Sequence, residues 1–298
     1  CRAYRMKNGT QVIDMGIEVP GSWEAAKLFS EIDMADLATC TYREYRIDDE
    51  FSVPAVEVFA DNLELSCIAS QIAGWKLQNG PEEAIGSGPA RALAAVDMDF
   101  YLNYTKYRDN HHEAVLGLQT TALPTEELAK EAAEACGVSE KDLYLLVHPS
   151  RSLVASVQVS ARIIEQTIHQ MIQKDFDISS LVRARGWCVV APVTDDETVS
   201  MGRINDSLLY GGESDFWLRA EDEELEALAP KVVTASAKDY GRLFLDLFRE
   251  AGEKYYAMDH EIHSPAKVQF FNMKTGRGFS AGGVRNDILR KSFFEQKN

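Results

Sequence analysis

A chain of 298 residues with 45% hydrophobic and 26% charged residues can bury one large or two intermediate α/β lobes, the balance of a soluble globular protein. Its formal net charge of -16 repels phosphate backbones and anionic lipid, which argues against a nucleic-acid or membrane-surface protein. No apolar run is long enough to span a bilayer and the first residues carry no basic-then-apolar signal, so a cytoplasmic protein is expected. Residue 1 is Cys and not Met, compatible with a longer natural chain before it.

Asn8-Gly9 is a turn signal, and the alternation over residues 11–16 predicts a strand, so the chain opens as a hairpin. Ser22, after Pro20-Gly21, N-caps a helix over 22–29. Strands are expected over 38–46 and 55–59, the second entered at Pro54, followed by a helix over 65–73 that Gly74 stops and a short run at 75–77. The stretch Gly86-Ser87-Gly88-Pro89-Ala90-Arg91 has two readings. Flexible glycines, a hydroxyl, a first-turn proline and helix-start N–H groups beside Arg91 make an anion cradle. It lacks the Lys-Ser/Thr ending of a nucleotide loop, and a plain tight turn fits as well.

Residues 101–110 are polar and aromatic, a connection between lobes. A strand over 114–118, an N-capped helix from Thr125 to the glycine stop at Gly137, and a strand over 142–147 then lead into a long helix, in the order β-α-β-α. That helix, residues 156–169, organises the rest. Val157, Ala161, Ile164, Ile168, Met171 and Ile172 make its apolar stripe, and Gln158, Arg162, Glu165 and His169 a polar one. Arg162 and Glu165, three positions apart, are either a surface ion pair worth a few tenths of a kcal/mol or a guanidinium holding a carboxylate base inside a cleft.

Residues 186–192 read as apolar and turn-rich, and Asp195-Asp196-Glu197 as a solvated acidic loop. Over 201–212, Arg203, Asn205 and Asp206 crowd against apolar residues patterned as a strand with paired glycines after it; a structural turn network and a ligand-binding edge both fit. A strand over 216–219, helices over 222–228 and 239–253, and a hairpin of 265–271 with 278–281 complete the chain.

Together these elements predict a two-lobed mixed α/β subunit, with residues 1–105 as the first lobe and 106–298 as the second plus a C-terminal segment packing back on the first. If the ligand is anionic, local cations must overcome the overall field, and Arg91, Arg108, Arg151, Arg162, Arg183, Arg185 and Arg203 are the candidates. The five cysteines, Cys1, Cys40, Cys67, Cys136 and Cys188, are far apart with no CxxC pair, so reduced thiols are expected. His111-His112 sits in a polar loop without flanking ligands at metal spacing, and no metal is expected.

Gly86-Ser87-Gly88-Pro89-Ala90-Arg91-Ala92, Ser156-Val157-Gln158 running into Ala161-Arg162 and Glu165, Ala191-Pro192, Met201-Gly202-Arg203, Asn205-Asp206 and Tyr210-Gly211-Gly212 occur in an order that resembles the methenyltetrahydromethanopterin cyclohydrolases. The N-terminal Asn8-Gly9, Val12-Ile13-Asp14 and Gly21-Ser22, and the tail Ser264-Pro265-Ala266 through Lys274-Thr275-Gly276 and Ser292-Phe293, are similar to that family too. The resemblance implies a homotrimer of two-lobed α/β subunits with a pocket between the lobes. It implies Glu165 and Arg162 as the catalytic pair, and substrate contacts at Gly86, Ser87, Gly88, Arg91, Gln119, Arg203, Asn205 and Asp206. The implied reaction, in the one-carbon metabolism of methanogenesis or formaldehyde oxidation, is reversible hydrolysis of the cyclic amidine of the reduced pterin to its N5-formyl form. The pterin carries the one-carbon unit, so no separate cofactor is implied.

The chain departs from the family pattern at Gln119, where a glutamate is usual, at Trp187-Cys188, where small residues are usual, at Asp36, near which a glycine is usual, and at His148-Pro149-Ser150 in place of Ala-Pro-Thr. The acid–base pair is intact. A bulky Trp187 in a pocket loop would remove space, and Gln119 removes a charge. A catalytically silent or altered-specificity pterin- or phosphate-binding paralogue of the same trimeric fold is therefore the alternative reading, and an unrelated anion-binding α/β protein a third.

Overall fold

The computed structural model describes residues 1–72, 74–96, 103–105, 107–254 and 257–295. Along the chain these form strands β1 (Arg2–Arg5) and β2 (Gln11–Asp14), helix α1 (Trp23–Asp33), strands β3 (Ala38–Arg46) and β4 (Ser52–Ala60), a π-helical segment (Glu64–Gln71), strands β5 (Trp75–Asn79) and β6 (Glu82–Ser87), and the short helix α2 (Ala90–Ala94). They continue as β7 (Ala114–Gln119), α3 (Glu126–Cys136), β8 (Leu143–His148), α4 (Leu153–Ala161), α5 (Ile163–Gln173) and β9 (Leu181–Val189). Last come α6 (Glu197–Gly211), β10 (Gly212–Leu218), α7 (Asp222–Leu228), α8 (Phe244–Glu250), β11 (Lys267–Asn272), β12 (Gly278–Gly282) and α9 (Asn286–Arg290). Among the described residues no helix is long and apolar enough to cross a membrane.

The chain divides into two compact α/β units, residues 1–38 with 64–158, and residues 39–63 with 159–298. The expected division at 105/106 is corrected: β7 pairs with β6 and β8, and β8 with β2, so residues 107–158 complete the first sheet. The C-terminal segment is corrected too, because β11 and β12 extend the sheet of the second unit. Of the expected connection over 101–110, Tyr101, Leu102 and Lys106 lie outside the described residues, as does Ala73 at the end of the expected helix over 65–73.

Unit 1 is a six-stranded sheet in the order β1-β2-β8-β7-β6-β5. Val12, Leu77, Leu116, Leu118, Leu128, Leu143, Leu145 and Val147 form its core. The Asn8-Gly9 turn joins β1 to β2 as read, with Gly9 at φ +100. Ser22 caps α1 by accepting the Ala25 N–H at 3.1 Å, and Thr125 caps α3 by accepting that of Leu128 at 3.2 Å. The outer end of the Phe29 ring of α1 meets Gly117 of β7, where an added Cβ would stand 2.6 Å from Phe29 Cζ. The sequence reading missed β6, because Gly86 and Ser87 looked like turn residues; they lie in a strand, paired with Leu118 and Gly117.

Unit 2 is a six-stranded sheet in the order β12-β11-β10-β9-β4-β3. Residues 186–189, expected as a turn-rich run, are the end of strand β9. Gly186 is there for space: Ile163 and Ile164 of α5 press on it so closely that a Cβ would sit 2.6 Å from Ile163 Cγ2. Gly212 does the same one strand over. Its φ of -102 suits any residue, but an added Cβ would overlap Ile163 Cδ1 and approach the Leu208 carbonyl. The strand expected within 201–212, ahead of the paired glycines, is instead helix α6, and the acidic loop before it is its cap, with Asp196 Oδ1 accepting the Val199 N–H at 2.9 Å. Val199, Gly202, Arg203, Asp206, Leu209 and Tyr210 are buried at helical spacing. The helix expected over 239–253 is confined to α8.

Overpacking this junction should be costly. Gly212→Ala is expected to lower unfolding free energy by about 1–3 kcal/mol in urea titrations. A loss below about 0.5 kcal/mol, the level of a neutral surface change, would show that Ile163 does not hold the helix to the sheet.

Candidate active site

The organising helix is two helices. Expected as continuous over 156–169, it breaks at Arg162, whose φ -80 and ψ 6 separate α4 from α5. No proline or glycine stands at the break, so tertiary anchors hold it. Ser160 Oγ donates to the Val189 carbonyl at 2.9 Å, and the Ile163 carbonyl accepts from Thr167 Oγ1 at 2.7 Å and from Ser214 Oγ at 3.1 Å. With Ile163 seated on Gly186 and Gly212, the residues flanking it have little freedom. Thr167 and Ser214 carried no sequence signal, since they are remote along the chain.

The break puts Arg162 at the start of α5 and Glu165 in its first turn, where the helix dipole favours a negative charge. Arg162 Nε donates to Glu165 Oε2 at 3.2 Å. Their side chains are 12% and 12% exposed, whereas the surface pair Lys130 and Glu134 is 64% and 70% exposed. The surface-pair reading therefore fails for Arg162 and Glu165. This is a sheltered, pre-oriented carboxylate with a fixed cation at its side.

In unit 1, the stretch from Gly86 to Arg91 is a strand end, a tight turn and the five-residue helix α2. Gly88, at φ +106, donates its N–H to the Ser70 carbonyl at 2.9 Å. Ser87 Oγ donates to Asp33 Oδ1 at 2.6 Å, and Arg91 is buried at 1% exposure. Of the two sequence readings, the tight turn describes these hydrogen bonds. Asp33 and Ser70 were not singled out from the sequence, and the separation of 54 positions between Asp33 and Ser87 explains why. Gln119 ends β7 opposite His148, and its Nε2 donates to Ser150 Oγ at 2.8 Å. A glutamate there would have to accept that bond, so Gln119 and Ser150 form a matched amide–hydroxyl pair. Burial pulls the neighbouring His148 imidazole down to about 4, and its ring meets Phe29 edge-on.

In unit 2, Arg203, Asn205 and Asp206 share helix α6. Asn205 Nδ2 turns back to the Met201 carbonyl at 2.9 Å. Asp206 is fully buried; Oδ1 accepts the Phe244 N–H at 2.8 Å and Oδ2 the Ser292 hydroxyl at 2.6 Å, tying α6 to the start of α8 and to the C-terminal segment. Burial pushes its carboxyl up to about 7, against the pull of these two bonds. Arg203 Nη1 donates to the Pro192 carbonyl at 3.2 Å. Trp187 is not in a loop: it lies in β9, with the Arg43 guanidinium 4.0 Å over its ring and Tyr45 5.1 Å away.

His111, His112 and Glu113 bring one ligand atom each within 4.8 Å of one another, so Glu113 is the flanking ligand that the sequence reading missed; these residues could hold a divalent cation at the surface. The cysteines of the described residues are free thiols. Burial pushes the Cys136 thiol up to about 12 and Cys188 upward as well, which makes both poor nucleophiles.

Comparison with known proteins gives a consistent picture. The family model described as Cyclohydrolase (MCH) matches residues 1–293. The chain is 35% identical over 291 residues to methenyltetrahydromethanopterin cyclohydrolase of Methanocaldococcus jannaschii, covering 97% of this chain and 90% of that protein. It is 37% identical over 291 residues to the protein of that name from Methanococcus aeolicus, with the same coverage of 97% and 90%. It is 35% identical over 292 residues to that of Methanothermobacter marburgensis, covering 97% and 91%.

The raised Asp206 carboxyl has a signed consequence. A group that holds its proton more tightly folded than unfolded stabilises fully below its unfolded value, near 3.8, and loses that contribution as pH rises towards about 7. Unfolding free energy should fall across this window more steeply in wild type than in Asp206→Asn. Parallel pH profiles of the two proteins in urea would contradict it.

Proposed function

The chain belongs to the methenyltetrahydromethanopterin cyclohydrolase family, and from that premise we propose that it hydrolyses the cyclic amidine of a 5,10-methenyl reduced pterin to the 5-formyl form, with Glu165 as general base and Arg162 as its partner. The observation that supports this best is the sheltered Arg162–Glu165 pair at a fixed helix break. The methenyl carbon bridges two nitrogens of an electron-poor amidinium and is already electrophilic, so the protein's task is to deliver water. Glu165 takes one proton as the water oxygen bonds to that carbon. It returns this proton to N10 as the C–N10 bond breaks. The remaining hydroxyl proton leaves as the formyl C=O forms, so one proton is released per turnover.

Arg162 fixes the orientation of Glu165 and offsets the charge that develops on oxygen in the tetrahedral adduct. The pterin brings its own one-carbon unit, and the proposal includes no further cofactor. A cytoplasmic homotrimer is the assembly proposed, and sedimentation equilibrium on the purified protein tests its stoichiometry.

Loss of methenyl absorbance is the direct assay. Wild type is expected to bleach a methenyl-pterin chromophore, and Glu165→Gln to do so about 10²–10⁴-fold more slowly while still binding the pterin. Arg162→Gln should lose about 10²-fold. Wild type that binds the pterin tightly without bleaching it, or Glu165→Gln at the wild-type rate, would refute the assignment.

A further inference from the structure

Two histidines and a glutamate stand in succession where the chain enters β7. Asp109 Oδ1 accepts the N–H groups of Asn110 at 2.8 Å and of His111 at 3.2 Å, which turns the chain just ahead of them. The rings of His111 and His112 come to rest with their centroids 4.4 Å apart, tilted by 32°. Glu113 follows, and its Oε1 accepts the Tyr144 hydroxyl at 3.1 Å. Tyr144 lies in β8 opposite Val115 of β7, so the carboxylate is held by the sheet of unit 1 as well as by its own loop.

One nitrogen from each ring and one carboxylate oxygen therefore lie within 4.8 Å of one another, with both histidines exposed and Glu113 half-buried. Tyr144 takes one oxygen of the carboxylate and leaves Oε2 to a cation. The net charge of -16 draws divalent cations towards the whole surface, but it does not choose among the acidic groups there. The imidazoles do. Two ring nitrogens and one carboxylate oxygen suit Zn²⁺ and its neighbours Co²⁺ and Ni²⁺, whereas Mg²⁺ and Ca²⁺ take oxygen ligands.

The geometry needs a small adjustment. Bonds of about 2.0–2.2 Å to a tetrahedral ion place the ligand atoms about 3.3 Å apart, so from 4.8 Å the side chains close by about 1.5 Å. The exposed histidines do this by rotating about their own side-chain bonds, and Glu113, fixed by Tyr144, is the point they close on. His111 Nδ1 accepts the Glu113 N–H at 3.2 Å, the long end of the normal range. A metal at that nitrogen replaces this bond, and the N–H passes to water.

We propose that His111, His112 and Glu113 bind one transition-metal ion of the Zn²⁺ class, with water in the remaining position and the Tyr144 hydroxyl orienting the carboxylate from behind. The ion ties the loop before β7 to β8, and no step of the hydrolysis passes through it.

Calorimetric titration of zinc chloride into the untagged, metal-stripped protein in a non-chelating buffer near neutral pH tests the site, with magnesium chloride as control. Cys1 is an exposed thiol that binds zinc by itself, so every protein compared carries Cys1→Ser. In that background the otherwise unaltered chain should take up one equivalent of zinc that His111→Ala and His112→Ala each bind at least about tenfold more weakly. Glu113→Gln keeps an acceptor for Tyr144 but loses the anionic ligand, and should weaken binding at least about threefold. The altered side chains are exposed or half-buried, so folding is not at issue.

Zinc affinity and stoichiometry unchanged in both histidine variants overturn the site. An effect of the histidines with none from Glu113→Gln overturns the three-ligand arrangement, since it describes a bare histidine pair. Magnesium binding that is lost on the same substitutions overturns the transition-metal assignment. No pterin enters the titration, so a failure of the cyclohydrolase reading would leave its result unchanged.

Discussion

The seating of Ile163 over Gly186 and Gly212 is the contact on which the geometry of the candidate active site depends. Helices ordinarily stand off a sheet by the depth of their side chains. Here two adjacent strands withdraw theirs, and the helix settles into the gap. Ile163 lies between Arg162 and Glu165 in sequence, so its depth sets where the guanidinium and the carboxylate emerge. Its carbonyl is clasped by Thr167 and Ser214, which fixes the rotation of the first turn as well as its height. The break at Arg162 then follows from packing, with no helix-breaking residue needed.

Charge is distributed unevenly around this junction. On one face of the second sheet, Arg185 is shared by Glu57 and Asp215, while Lys267 and Gln269 meet Glu213, and these charges largely neutralise each other. On helix α6 the opposite arrangement holds: Asp206 and Arg203 are buried one turn apart without meeting. Asp206 is absorbed into joining α6 to α8 and to Ser292, a structural duty that its place in a polar, glycine-rich stretch did not reveal. Arg203 donates to the Pro192 carbonyl, and among the described residues no carboxylate pairs with it.

The legible parts of the sequence were those whose signals are local. The Asn8-Gly9 hairpin, the caps at Ser22 and Thr125, the Gly137 stop, the strand over Ala38–Arg46 and the helix over Asp222–Leu228 all announce themselves within a few residues. The misread parts depend on partners far along the chain. Gly186 and Gly212 looked like turn formers because a glycine's need for space is invisible without the Ile163 that fills it. Met201, Ile204, Leu208 and Leu209 suggested a strand before a glycine turn, and the cap that makes them a helix, Asp196, was hidden in an acidic run. The first sheet takes β7 and β8 from beyond residue 106, so no linker composition could mark the division into units. The Arg162–Glu165 pair was visible as spacing, but only its burial distinguishes a sheltered pair from a solvent-exposed one.

The central claim is that Arg162 and Glu165 act as one catalytic unit. It is tested most directly by a double-mutant cycle on the rate of methenyl bleaching, comparing Glu165→Gln, Arg162→Gln and the double variant with wild type. If Arg162 works by fixing and assisting Glu165, the double variant should be little slower than Glu165→Gln alone, and the two losses should fall far short of multiplying. Losses that multiply in full would mean that the two residues act independently, and the pair would not be the unit that this helix break was built to hold.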